Sequence, residues 1–150
     1  MLNQGATIGI LGGGQLGRML SVAASRLGFR THIFEPGENP PAGHVADRVT
    51  TASYDDEPAL RAFAETVDVI TYEFENIPTS ALDILESLRP IHPNRDALRI
   101  SQDRITEKDF LAGLGLTPCA LCSSGQFARS HGCHRPDWRT VHFENSAVWI

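Results

Sequence analysis

Six consecutive residues, Gly12-Gly13-Gly14-Gln15-Leu16-Gly17, separate a short apolar run from a stretch of helical periodicity. Glycines at such a junction permit backbone angles closed to other residues and let main-chain N–H groups approach a ligand. The helix that follows adds partial positive charge at its N-terminus. This is the chemistry of a phosphate cradle. The spacing Gly12-x-Gly14-x-x-Gly17 also fits a dinucleotide fingerprint, with Glu35 ending the next apolar run where a ribose-binding acid would stand. An NAD- or FAD-binding oxidoreductase domain is therefore one reading. A tight strand-to-helix turn, with Glu35 a solvated strand end, is another.

The elements that must position this loop follow from the pattern of apolar residues. Thr7–Leu11 reads as a buried parallel strand. Leu16, Met19, Leu20, Ala23, Ala24 and Leu27 recur at helical spacing, and Gly28 stops that helix. Thr31–Glu35 is the next strand. Pro36 to Gly43 is a loop, and Val45 to Thr51 holds a short strand. Glu57 to Glu65 is a helix with Leu60, Phe63 and Ala64 inward, followed by a buried strand over Val67–Thr71. Thr79 to Leu88 is a helix with an apolar face of Leu82, Leu85 and Leu88. Asp103 to Leu114 is the last helix, ended by Gly115 and Pro118. This alternation predicts an α/β fold: an open, mostly parallel sheet with helices on both faces. Ligands of such sheets bind beyond the carboxyl ends of the strands, where Gly12–Gly17, Glu35 and the Tyr72–Asn76 segment should converge.

Composition sets outer bounds. The 150 residues suffice for one domain with a core, and 41% are hydrophobic. A net charge of −5 argues against a general nucleic-acid surface. No apolar run is long enough to span a bilayer, and the N-terminus shows no basic-then-apolar leader, so a cytoplasmic setting is expected. No Ser/His/Asp or G-x-S-x-G arrangement marks a nucleophile, and no catalytic residue is assigned.

Two further segments carry more information: Thr71-Tyr72-Glu73-Phe74-Glu75-Asn76-Ile77-Pro78, and Pro93-Asn94-Arg95-Asp96-Ala97-Leu98 leading into Ser101-Gln102-Asp103-Arg104-Ile105-Thr106-Glu107-Lys108. With the glycine loop, and in this order, they resemble the N-terminal pre-ATP-grasp (Rossmann-like) domain of the N5-carboxyaminoimidazole ribonucleotide synthases. The resemblance covers roughly residues 5 to 118. It implies an ATP-dependent carbon–nitrogen ligase that joins bicarbonate to the amine of 5-aminoimidazole ribonucleotide, with Mg2+ screening the phosphates and a homodimeric intact enzyme. It implies that Gly12–Gly17 and Glu73 lie on the ribonucleotide side, Gln15 and Glu73 as polar contacts. It implies that Arg104 reaches the ATP phosphates and that Lys108, one turn on, shares that role. Two local alternatives stay open: Glu75 and Asn76 as caps of the helix after Pro78, and Arg104 and Lys108 as a solvated face with Glu107 and Asp109.

The chain changes character near Pro118. Residues 1–118 hold 16 acidic and 10 basic side chains, net −6, whereas residues 119–150 hold two against three, net +1, with all three cysteines and both tryptophans. No lysine follows Lys108 and no second glycine-rich loop appears, where the resemblance implies ATP-binding domains. The expected division is a domain over 1–118 and an atypical tail over 119–150, as from a shifted reading frame or a truncated gene. The 150 residues alone are expected to be catalytically incompetent and to bind neither ATP nor Mg2+ tightly. Cys119, Cys122, His131, Cys133 and His134 could supply a zinc site or interaction module. The adjacency of Cys133 and His134 departs from usual ligand spacing, and no metal ligand is assigned.

Overall fold

The structure is a computed structural model that describes residues 2–116. Two compact units divide the chain, Met1–Gln102 and a second beginning at Asp103. In the first, four strands, β1 (Thr7–Leu11), β2 (Arg30–Glu35), β3 (Arg48–Thr51) and β4 (Val69–Tyr72), form one sheet in the order β3-β2-β1-β4. Every pairing is parallel, as the α/β alternation predicts. Helices α1 (Gln15–Arg26), α2 (Glu57–Glu65), α3 (Thr79–Glu86) and α4 (Arg95–Ser101) connect or follow the strands. Pro41–His44 forms a 3-10 turn across the end of the loop expected over Pro36 to Gly43.

The two faces of the sheet are covered unequally. Leu11 and Phe34 point to one side, where Leu60, Phe63 and Ala64 of α2, Ala81, Leu82 and Leu85 of α3, and Leu98 of α4 complete a thick core. Burial of each large side chain there contributes about 1.5–3 kcal/mol. Gly9 admits the Phe63 ring, whose Cζ would stand only 2.7 Å from a Cβ at that position. Asp56 caps α2 by accepting from the Ala59 N–H at 3.0 Å. Leu88, expected on the apolar face of α3, lies past the helix end and is 36% exposed.

The other core is thin: Ile10, Ile33 and Ala42, with Ile8 and Ala46 against it. Here the apolar pattern read from α1 needs correction. Its buried residues are Gly17, Ser21 and Ala24; Leu16, Met19, Leu20 and Leu27 are exposed. Close approach decides this. A Cβ on Gly17 would lie 2.6 Å from the Gly12 carbonyl oxygen, so only small residues fit on that face. Ser21 satisfies its hydroxyl locally by donating to the Gly17 carbonyl at 2.9 Å.

Helix α4 had no counterpart in the periodicity. Its seven residues hold one buried side chain, Leu98, too few to show a period. Its start is marked by chemistry instead: Asn94 accepts from the Ala97 N–H at 2.9 Å. In the second unit, α5 (Arg104–Gly113) is capped by Asp103, which accepts from Thr106 N–H at 2.8 Å. That hydrogen bond holds the Asp103 carboxyl below its usual range. Among the described residues no helix is long and apolar enough to cross a membrane.

Candidate functional site

Register brings the candidate residues to one edge. Leu11 pairs with Phe34 on β2 and with Tyr72 on β4, so Gly12 and Glu73, one residue beyond their strands, stand level with Glu35, the last residue of β2. The ladder continues through them: Gly12 N–H donates to the Phe34 carbonyl at 3.0 Å, and Glu73 N–H to the Leu11 carbonyl at 3.1 Å. The chain leaves β1 for β2 on one side and returns to β4 on the other. The loop therefore sits at the switch point of the sheet, where open α/β folds place their ligands.

Three of the loop's N–H groups, those of Gly13, Gly14 and Gly17, are already engaged. Gly14 N–H donates to Glu73 Oε1 at 3.1 Å, and Gly17 N–H to Glu73 Oε2 at 3.2 Å. Gly13 N–H donates to Glu35 Oε2 at 2.7 Å, while Gly37 N–H donates to Glu35 Oε1 at 3.0 Å. One carboxylate thus spans the first turn of α1, where the helix dipole favours negative charge. The other ties the loop to the end of β2. Three glycines are needed for these carboxylates to approach. A Cβ on Gly12 would strike the Glu73 side chain, one on Gly14 would lie 2.8 Å from Glu73 Oε1, and one on Gly13 would lie 2.5 Å from Pro40 Cβ. Gly12 also has φ +102°, the left-handed region that favours glycine.

Beside the loop is an open cleft of about 360 Å3, lined by Gly13, Gly14, Glu35, Pro40, Glu73 and Phe74 among others. Tyr54 lies beneath, its hydroxyl donating to the Phe34 carbonyl at 3.5 Å. Burial, then the charges of Glu35 and Glu73, push its phenol well above the usual range, so it stays protonated. Gln15 and Leu16, at the start of α1, are exposed. Glu75 and Asn76 do not cap α3: Pro78 occupies the cap position, with no side-chain hydrogen bond.

Two positioning residues escaped the sequence reading. Gln102 Nε2 donates to the carbonyls of Glu75 and Ile77, both at 2.7 Å, and so fastens the segment that carries Glu73. Tyr72 donates its hydroxyl to the Asn94 carbonyl at 3.3 Å. Both bonds bridge the two segments that were notable in the sequence, but nothing in their spacing announces a contact. Arg104 and Lys108 lie on α5, in the second unit. Arg104 is exposed and paired with the Glu107 carboxylate; Lys108 is half-buried. The five Cys and His residues of the zinc reading lie outside the described residues. Among those described, no group of three His, Cys, Asp or Glu could hold a metal ion.

An open parallel sheet with a carboxylate-tied glycine loop at its switch point defines a Rossmann-like, nucleotide-fold domain. Residues 5–102 match the model of the ribonucleotide synthetase preATP-grasp domain, and the chain belongs to that family. The N5-carboxyaminoimidazole ribonucleotide synthase of Brucella melitensis is 55% identical over 115 residues, 77% of this chain and 32% of its own length. A crystal structure of an N5-carboxyaminoimidazole ribonucleotide synthetase with ADP superposes with a TM-score of 0.77 at 42% identity, covering 80% of this chain and 32% of that one. The Aspergillus clavatus enzyme, solved with ADP and 5-aminoimidazole ribonucleotide, gives 0.67 at 36% identity over 75% of this chain and 30% of its own. The chain thus spans about a third of the length of these relatives.

Proposed function

We propose that the chain forms the acceptor side of an ATP-dependent carbon–nitrogen ligase of de novo purine biosynthesis. The substrate it cradles is 5-aminoimidazole ribonucleotide, the ligand named for the Aspergillus clavatus relative. The observation that carries this reading is the pair of carboxylates at the loop. With the N–H groups of Gly13, Gly14 and Gly17 engaged, these glycines bring the carboxylate oxygens of Glu35 and Glu73 to the cleft in place of their own donors. Such oxygens accept from hydroxyls and from an amine, and an amino-bearing ribonucleotide supplies both. A phosphate at the same place would have to displace Glu73 and stand against two negative charges. The loop therefore takes the ribose and amine end, with Gln15 reaching the ligand from the start of α1.

The reaction on this reading has two transfers. Bicarbonate oxygen takes the γ-phosphoryl group of ATP, releasing ADP and giving carboxyphosphate. The exocyclic amine then attacks the carboxyl carbon, phosphate leaves, and the amine loses a proton. Glu73 would orient the amine, and Arg104, with Lys108, would face the ATP phosphates. Among the described residues no group of three His, Cys, Asp or Glu could hold the magnesium that would screen those phosphates. The intact enzyme is taken as a homodimer in the cytoplasm, with residues 1–118 forming this domain.

Titration of the isotope-labelled 150-residue chain tests the reading. With much of the pocket expected to lie outside these 150 residues, their affinity for 5-aminoimidazole ribonucleotide should be at best millimolar, about −4 kcal/mol. Amide shifts should map to residues 12–17 and Glu73, and inorganic phosphate at equal concentration should leave them in place. If the ribonucleotide moves other amides and spares the loop, the assignment is wrong.

A further inference from the structure

A second cavity lies at the amino-terminal edge of the sheet, away from the glycine loop. It measures about 240 Å3 and is lined by Thr7, Arg30, His32, Asp47, Arg48 and Thr66 among others. Thr7 stands five residues before Gly12, so about 16 Å of strand separates this cavity from the loop. Register explains how two arginines come together there. Arg30 pairs with Thr7, and Arg48 pairs with His32, two residues beyond Arg30 on β2. Paired residues, and residues two apart on a strand, share a face. All four side chains therefore stand on the α2 side of the sheet, where His32 meets Phe63. Strand spacing puts the Cα atoms of Arg30 and Arg48 about 8 Å apart, near enough for two long side chains to meet on one ion.

We propose that this cavity binds a phosphate dianion between the two guanidinium groups. Arg30 and Arg48 are exposed, and neither forms an ion pair with a described residue. A guanidinium fork matches phosphate oxygens two at a time, and two forks match the charge of one dianion. The groups that could oppose it are few. The Asp47 carboxylate, also in the lining, is turned onto the Thr31 N–H at 2.8 Å. His32 is neutral, with its ring nitrogens held by the hydroxyls of Thr66 and Thr50. Two positive charges thus face one negative. The C-terminal end of α2, whose dipole disfavours an anion, is closed by its own chain. The Phe63 carbonyl accepts from Thr66 N–H at 3.0 Å and from Thr66 Oγ1 at 2.7 Å, and the Ala64 carbonyl accepts from Val67 N–H at 3.5 Å. Volume limits the ligand. Sites for drug-sized molecules span ~300–1,000 Å3, so this smaller cavity takes free phosphate or a small monoester rather than a nucleotide. None of these residues takes part in the acceptor-side reading, and either can fail without the other.

Titration of the isotope-labelled 150-residue chain, followed by amide NMR at constant ionic strength, is the test. Inorganic phosphate and methyl phosphate are the probes, at about pH 7.5, where both are mostly dianions. The tighter of the two names the source. Amides of Thr7, Arg30, Thr31, His32, Asp47 and Arg48 should shift, with half-saturation on the order of 1 mM. Arg30→Gln and Arg48→Gln should each weaken binding about tenfold or more. Asp47→Asn should tighten it roughly threefold, because it keeps an acceptor for the Thr31 N–H and removes the opposing charge. Far-UV circular dichroism checks the fold of each variant. Arg30→Lys or Arg48→Lys, which keeps the charge and loses the fork, replaces a glutamine variant that fails to fold and should also bind more weakly. Equal shifts from chloride at the same ionic strength overturn the proposal. So does binding insensitive to all three positions, or phosphate shifts confined to residues 12–17.

Discussion

Acidification should destabilise this domain through one buried side chain, His32 on β2. It is 2% exposed and packs edge-on to Phe63, with ring centroids 4.8 Å apart. Its Nδ1 lies 2.8 Å from Thr66 Oγ1 and its Nε2 2.8 Å from Thr50 Oγ1. Thr66 spends its own proton on the Phe63 carbonyl at 2.7 Å. Thr66 must therefore accept from Nδ1–H, which leaves Nε2 to accept from the Thr50 hydroxyl. The ring is satisfied as a neutral imidazole. Burial first, and then the Arg48 charge, lower its pKa from 6.5 to about 4. The folded state thus binds fewer protons than the unfolded one below pH 6.5. The stabilisation is complete above that value and is lost as pH falls toward 4. Between pH 7 and pH 5 the loss is about 2 kcal/mol, and the full difference is about 3 kcal/mol. Urea unfolding of the wild type and His32→Leu at both pH values isolates this contribution, since the other histidines and carboxylates are common to both chains. The wild-type midpoint should fall by about 1–2 M more than the variant's, at a slope near 1–2 kcal/mol per M. An equal fall in both would refute the reasoning.

Three further outcomes are expected. Glu73→Ala should cost about 1–3 kcal/mol in chemical unfolding, because it strands the Gly14 and Gly17 N–H groups, and should remove the loop's response to 5-aminoimidazole ribonucleotide. Gly14→Val should do the same by displacing the carboxylate rather than deleting it, so the double variant should be far less than additive in a thermodynamic cycle. These 150 residues assayed by themselves should show no ribonucleotide-dependent phosphate release from ATP above buffer, because catalysis between domains loses positioning and charge stabilisation when only one side is supplied.

Much of this fold was legible because its strands are short apolar runs punctuated by glycine, proline and capping residues. The inward residues of α2 are the three that its spacing names: Leu60, Phe63 and Ala64. Convergence of Gly12, Glu35 and Glu73 on one edge followed from parallel order alone. What did not follow was any feature set by close approach. The buried face of α1 is chosen by what Gly17 allows, and leucine periodicity points to the opposite side. The engagement of the loop's N–H groups by Glu35 and Glu73 depends on side-chain reach across 22 and 59 residues, which has no local signature. Short α4 and the grip of Gln102 on the Glu73 segment were hidden for the same reason. The resemblance carried the family; the hydrogen-bond inventory was needed to say what the loop offers a ligand.

The distant origin of Glu73 has a consequence for assembly. Strand β1 meets β2 across about two dozen residues, but meets β4 only across some sixty, with Ile8 paired to Val69. Loop-closure entropy makes the second pairing costlier, though only logarithmically so. Whenever β4 is detached, Glu73 is detached with it, and the first turn of α1 presents bare donors. Docking of β4 therefore closes the sheet and converts the loop from anion-seeking to donor-seeking in a single event. On the proposed reading, folding and ligand recognition are separated by no further rearrangement at this edge.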